Sequence, residues 1–179
     1  MWLLSRYCDE EGRDKVQVLR HVPDEGADLE QAFRDHARQL AAVHPTAFTL
    51  RCEGRVRELR PAVYEELLAI GREAIQNAFV HAKATHIDVE LAYGSKAFEL
   101  TVRDDGLGIE PEYRNGRPRH WGIAGIRERT AQVGATCELT SAEDEGTVWR
   151  FHLAAAIAYL PEPRQPVVTT EEAQDSESV

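Results

Sequence analysis

Glu73 and Asn77 stand four residues apart in the segment Arg72-Glu-Ala-Ile-Gln-Asn77-Ala-Phe-Val-His81-Ala. Four residues is about one helical turn, so a carboxylate and a carboxamide project side by side from one face. The carboxamide oxygen is a hard ligand of the kind magnesium takes. A carboxylate one turn away can orient or deprotonate an attacking group. A solvated helix face carries such pairs too, so the pair needs support from elsewhere in the chain.

Three further segments supply it. Val102-Arg-Asp104-Asp105-Gly106-Leu107-Gly108-Ile109 follows an alternating strand pattern. Asp104 can accept a hydrogen bond from an exocyclic amine, and Gly106 and Gly108 let a ligand approach the backbone. An ordinary turn would also read Asp-Asp-Gly. His120-Trp-Gly122-Ile-Ala-Gly125-Ile-Arg127-Glu-Arg129 is a glycine-rich loop entering a helix. Backbone N–H groups at such a start suit anions, although glycines also permit close helix packing. Gly146-Thr147-Val148 opens the last strand and says little alone.

The elements that must position these segments can be read from periodicity. Asp28 is a plausible N-cap for a helix over roughly 29–43, with Leu29, Ala32, Phe33, Ala37 and Leu40 on one face. Thr46 to Cys52 reads as a strand, followed by a tight Glu53-Gly54 turn and a second short strand over Arg55–Leu59. Pro61 suits the first turn of a long helix over about 62–83, buried through Tyr64, Leu67, Leu68, Gly71, Ala74, Ile75 and Ala78. Glu66, Glu73, Asn77 and His81 lie along another line of it. Ile87, Val89 and Leu91, then Phe98, Leu100 and Val102, alternate with polar residues around Gly94-Ser95, which predicts a β-hairpin. An irregular stretch over 106–121 precedes a helix at about 123–133, ending at Gly134, and strands at about 136–141 and 147–153. Short turns between neighbouring strands predict an antiparallel or mixed sheet with helices on one face, a two-layer α/β sandwich.

Composition bounds the function. The chain has 179 residues, 42% hydrophobic and 29% charged, enough for one packed domain. No apolar run approaches the roughly 20 residues that span a bilayer, and the first residues lack a secretory signal pattern. A net charge of −10 argues against a nucleic-acid footprint. Cys8, Cys52 and Cys137 are far apart and without CxxC spacing, which points to a reduced, cytoplasmic chain without a zinc site. Residues 161–179 are rich in Pro, Glu, Thr and Ser and are expected to form a disordered acidic tail.

In this order and placement, the four segments resemble the N, G1, G2 and G3 boxes of the GHKL ATPase superfamily. That superfamily includes gyrase, the heat-shock chaperone ATPase, histidine kinases and mismatch-repair ATPases. The Glu-x-x-x-Asn-x-x-x-His-Ala form and the Gly-Ile-x-Gly-Ile-Arg-Glu-Arg helix look like the ATPase domain of sensor histidine kinases of the NarL-partnered type. Phe151-His-Leu-Ala-Ala-Ala-Ile-Ala-Tyr looks like the C-terminus of large propeller-bearing sensors of that group.

The resemblance covers about residues 26–160. It implies a histidine-kinase ATPase fold that binds ATP and Mg2+ for phosphoryl transfer. It implies Glu73 as the acidic residue activating the attacking group, Asn77 as the magnesium ligand and His81 near the phosphates. Asp104 would hold the adenine amine, with Gly106 and Gly108 shaping the pocket wall and Thr147 closing the adenine side. Residues from about 109 to 121 would form a mobile lid, and Gly122 and Gly125 would offer backbone amides to phosphate. No G-x-x-x-x-G-K-[ST] occurs, so this is not a P-loop pattern.

The chain departs from that family in two respects. Relatives usually carry a basic residue just before the His, where this chain has Val80. Arg114, Arg117, Arg119, Arg127 and Arg129 are candidate replacements. A phosphoacceptor histidine in a Glu-Leu-His-Asp setting is also missing. His21 beside a proline and His36 in Arg-Asp-His-Ala do not match it, and each is expected to be structural or solvated. Residues 1–25 resemble the stub of a dimerisation helix and linker. The expectation is therefore a C-terminal piece of a sensor kinase, or a gene that has lost its front, monomeric as a fragment. Its partners would be a histidine-bearing hairpin and a response regulator. The alternative is a stand-alone nucleotide-binding regulatory module or an anti-sigma-type serine kinase.

Overall fold

A computed structural model describes residues 28–109 and 121–161. The expected helix stub over 1–25, the candidate histidine His21, Arg114, Arg117 and Arg119, and the tail beyond Pro161 lie outside the described residues.

The first described helix, α1 (Leu29–Ala41), starts as its cap predicts. Asp28 is extended (φ −102°, ψ 113°) and its Oδ1 accepts a hydrogen bond from the Glu30 N–H at 2.8 Å. Leu29, Phe33 and Ala37 form its buried stripe. The edge strand β1 (Ala47–Gly54) follows, and then the long helix α2 (Pro61–Val80) with proline at its N-terminus.

The predicted strand over Arg55–Leu59 does not form. Only Leu59 makes an isolated bridge, to Tyr159, and the Arg57 guanidinium lies 3.9 Å from the centroid of the Tyr159 ring. The partner of β1 is instead β2 (His86–Tyr93), paired in parallel from Ala47↔His86 to Gly54↔Tyr93. The reason is burial. Ile87, Val89 and Leu91 present a continuous apolar face to the helices, whereas 55–58 offers two arginines and a glutamate. The parallel pairing requires a crossover, which α2 supplies.

β2 and β3 (Ala97–Asp104) form the expected hairpin, antiparallel from Tyr93↔Phe98 to Ile87↔Asp104. After helix α3 (Trp121–Gln132) come β4 (Thr136–Ser141) and β5 (Thr147–Ala154), also antiparallel, and β5 lies beside β3. The strand order is β1-β2-β3-β5-β4, a mixed five-stranded sheet. A short helix α4 (Ala155–Ala158) closes the described chain.

The inward residues of β2, β3 and β5 bury against Leu67, Ile70, Ala74 and Ile75 of α2 and Ile126 of α3, giving one core between sheet and helices. The opposite sheet face is polar, as the alternation requires. The architecture is the expected two-layer α/β sandwich. Helix α2 ends three residues before the predicted limit because His81 takes the C-cap, its N–H donating to the Asn77 carbonyl at 2.9 Å.

Candidate functional site

Helix α2 presents Glu73 and Asn77 half-buried on one line. The Asn77 Nδ2 donates to Glu73 Oε1 at 3.4 Å, so the predicted one-turn juxtaposition is real. With the amide nitrogen turned to Glu73, Asn77 Oδ1 is the ligand-type atom left for a cation. His81 is exposed at the helix end, as is Val80 before it.

Asp104 ends β3 on its inward face. The alternation Phe98, Leu100, Val102 reaches a fourth inward position, and there the chain places a carboxylate. It is 6% exposed. Burial pushes its carboxyl above the usual range, and hydrogen bonds from Gly106 and Thr147 work against that shift. Gly106 N donates to Asp104 Oδ1 at 3.0 Å. Thr147 is the cross-strand partner of Asp104 and is itself buried.

The Gly106–Gly108 loop sits on the chain just past α2. Leu107 N donates to the Ala82 carbonyl at 2.8 Å, and a Cβ on Gly106 would stand 2.2 Å from that same oxygen. Gly108 has φ +74°, a conformation that side chains rarely adopt, and a Cβ there would meet the Ala142 carbonyl at 2.0 Å. The turn before β5 is thereby tied to the turn after β3.

The first turn of α3 lies over the α2 pair. A Cβ on Gly122 would stand 2.3 Å from Glu73 Oε1 and 3.3 Å from Asn77 Nδ2. Gly125 is different: a Cβ there would meet nothing within 4 Å. The fold thus joins Glu73, Asn77 and Gly122 at one place and Asp104, Gly106 and Thr147 at another. Gly125 and the His81 side chain have no described contact with either group.

The sequence profile for histidine kinase-, DNA gyrase B- and HSP90-like ATPases matches residues 62–157, more than half of the chain. The chain belongs to this ATPase family. Its curated relatives include the nitrate/nitrite sensor protein NarX of Escherichia coli (strain K12), 32% identical over 96 residues, which cover 54% of this chain and 15% of NarX. The nitrate/nitrite sensor protein NarQ of the same strain is 32% identical over 124 residues, covering 68% of this chain and 21% of NarQ. The sensor histidine kinase LiaS of Bacillus subtilis (strain 168) is 26% identical over 129 residues, 72% of this chain and 35% of LiaS. The chain therefore spans about a third or less of the length of these relatives.

Solved structures carry the same fold. The histidine kinase domain of the Erythrobacter litoralis EL346 blue-light activated histidine kinase aligns with a TM-score of 0.62 at 17% identity, over 76% of this chain and 65% of that one. The mycobacterial sensor histidine kinase MprB aligns with a TM-score of 0.54 at 15% identity, over 74% of this chain and 95% of that one.

Within this histidine-kinase-like ATPase domain, two residues important to the site escaped sequence reasoning. Asp105 accepts hydrogen bonds from Thr85 N (2.8 Å), Thr85 Oγ1 (2.6 Å) and His86 N (2.8 Å), clamping the loop to the start of β2. Those bonds hold its carboxyl below the usual range. Ser141 Oγ accepts from Ile109 N at 2.7 Å, donates to the Gly146 carbonyl at 2.9 Å and lies 3.2 Å from Thr147 Oγ1. The Asp-Asp-Gly run was the only available hint for Asp105. For Ser141 there was none, because its partners are 32, 5 and 6 residues away.

His36 is half-buried, and its Nε2 donates to the Arg72 carbonyl at 3.2 Å. Burial lowers its pKa. Among the described residues no helix is long and apolar enough to cross a membrane.

Proposed function

We propose that this chain is the ATP-binding catalytic domain of a two-component sensor histidine kinase, located in the cytoplasm. It would bind Mg-ATP and present the γ-phosphate to a histidine on a helical hairpin of the full-length protein or of a partner. A response regulator would receive the phosphate afterwards. The observation that carries this reading is the seating of the first α3 turn on Glu73 and Asn77, beside an inward carboxylate at the end of β3.

The two groups divide the ligand between them. Asp104, buried and with Thr147 alongside, is the acceptor for the adenine amine. Gly106 and Gly108 shape the wall beside it by letting the loop pack against the Ala82 and Ala142 carbonyls, where a Cβ would not fit. Asn77 Oδ1 is the oxygen donor for Mg2+, which would supply charge neutralisation at the phosphates when bound. Among the described residues no group of three or more His, Cys, Asp or Glu side chains gathers. A divalent ion held here would therefore complete its shell with phosphate and water.

Glu73 is positioned to orient or activate the attacking imidazole. The backbone amide of Gly122, in the first turn of α3, suits an anion by the logic of a helix start, whereas the Gly125 amide, the fifth of a helix that begins at Trp121, has an intrahelical acceptor and drops out of that role. His81, at the α2 C-cap, adds a side chain at the phosphate end. Catalysis in such a site is positioning plus electrostatics.

Calorimetric titration with Mg-ATP tests the reading. Binding that is lost in Asn77→Ala supports it, and binding unaffected by that substitution refutes it. Labelled ATP with a supplied histidine-bearing hairpin then separates acceptors. Acid-labile, base-stable label on the hairpin is the expected result, and acid-stable label on a partner serine would indicate an anti-sigma-type kinase.

A further inference from the structure

Helix α3 touches one line of α2 at two levels. At its start, Gly122 lies against Glu73 and Asn77. Seven residues later, Arg129 Nη1 reaches Glu66 Oε2 at 3.0 Å, and Glu66 lies seven residues before Glu73. Seven residues is two turns, or roughly 10.5 Å of helix axis, on each element. The two helices therefore run in opposite directions along this line, fastened at both ends of one interval.

Among the described side chains of α3 the buried hydrophobic ones are Ile123 and Ile126, with Thr130 buried beside them and its hydroxyl turned back to the Ile126 carbonyl at 2.6 Å. Those contacts face the core and leave the outer line of the helix, where Arg129 stands, to its ion pair. A slide of about 1.5 Å would carry the Gly122 backbone off Glu73.

We infer that the Glu66–Arg129 ion pair is a register lock, and that both residues are positioning residues for the nucleotide site. The inference rests on the ATP-binding reading above. Glu66 is not among the ligand-holding residues, and Arg129, one of the candidate phosphate cations in the sequence, is engaged by Glu66. Their pair is half-exposed on the arginine side, so its direct contribution to stability is small. Its consequence is where the first α3 turn sits relative to the α2 pair. Loss of the pair should weaken the phosphate end of the site and spare the adenine end, where Asp104 and Thr147 belong to the sheet.

The test compares Mg-ATP with adenosine, which has no phosphate, for Glu66→Lys, Arg129→Glu, the milder Arg129→Gln, and the double swap Glu66→Lys/Arg129→Glu. The single variants should lose about fivefold in Mg-ATP affinity, the equivalent of one exposed ion pair, with adenosine affinity unchanged. The double swap should recover the Mg-ATP affinity. Single variants with unaltered Mg-ATP affinity, or a swap that fails to recover it, overturn the inference. So does a parallel loss of Mg-ATP affinity, adenosine affinity and melting temperature, which marks a merely structural pair. A wild-type chain that binds no Mg-ATP refutes the nucleotide reading and this inference with it. A wild-type chain that binds Mg-ATP, and loses it in Asn77→Ala, leaves the reading standing whatever the ion pair does.

Discussion

Gly122 and Glu73 come from different helices and meet so closely that a single methyl group would part them: a Cβ on Gly122 would stand 2.3 Å from Glu73 Oε1. The atom met is the far end of a flexible side chain, so Gly122→Ala should fold and displace the carboxylate. A drop of about tenfold in Mg-ATP affinity is expected, the size of one lost hydrogen bond to a charged group. Calorimetry beside a melting curve checks it. Unchanged affinity would show that the Glu73 position is immaterial.

Gly125 offers the opposite case on the same helix, with nothing within 4 Å of its missing Cβ. Gly125→Ala should raise stability by about 1 kcal/mol through helix propensity. If Mg-ATP affinity falls although the melting temperature rises, the open space at Gly125 is where the ligand lies. Affinity that stays level would remove Gly125 from the site.

Asp104 makes a pH-dependent prediction. Its folded pKa is raised by burial above the unfolded value, so its favourable share of stability is present at low pH and is lost as pH rises through the folded pKa. The melting temperature of the wild-type chain relative to Asp104→Asn should therefore be higher near about pH 4 than at about pH 7. A difference that grows with pH would contradict a raised pKa. Nucleotide affinity at pH 7 should fall roughly 10- to 100-fold in the same variant, for loss of a charged acceptor.

Ser141 ties the turn after β3 to the turn before β5 through a single hydroxyl. Ser141→Ala leaves the Ile109 N–H and the Gly146 carbonyl without that partner, and a loss of about 1–3 kcal/mol is expected in denaturant unfolding. A variant as stable as wild type would show that the hydroxyl is dispensable.

Cys52 should be a poor nucleophile. Burial, then the hydrogen bond from its Sγ to Glu30 Oε2 at 3.1 Å and the charge of Glu30, push its pKa up to about 12. In a Cys8→Ser/Cys137→Ser background, alkylation at pH 8 should run on the order of a thousandfold slower than for an ordinary thiol. Glu30→Gln should accelerate it. A rate near that of an unfolded chain would refute the contact.

The sequence by itself determined the parts of this protein that depend on neighbours along the chain. The one-turn spacing of Glu73 and Asn77, the Asp28 cap and the inward alternation that ends at Asp104 are local periodicities. They were legible because a helix or strand fixes which side chains share a face. The order of the four glycine- and acid-bearing segments carries the resemblance to the ATPase family. The partner of β1 is not legible there, since Arg55–Leu59 lies nearer in sequence than His86–Tyr93, and only burial against the helices favours the distant strand. The Ser141 hydrogen bonds, the Asp105 clamp and the Glu66–Arg129 pair were equally invisible. Each joins elements whose separation along the chain carries no periodic signal. The tertiary structure alone decided that Gly122 sits on Glu73, because that contact depends on how two helices share one face of the sheet.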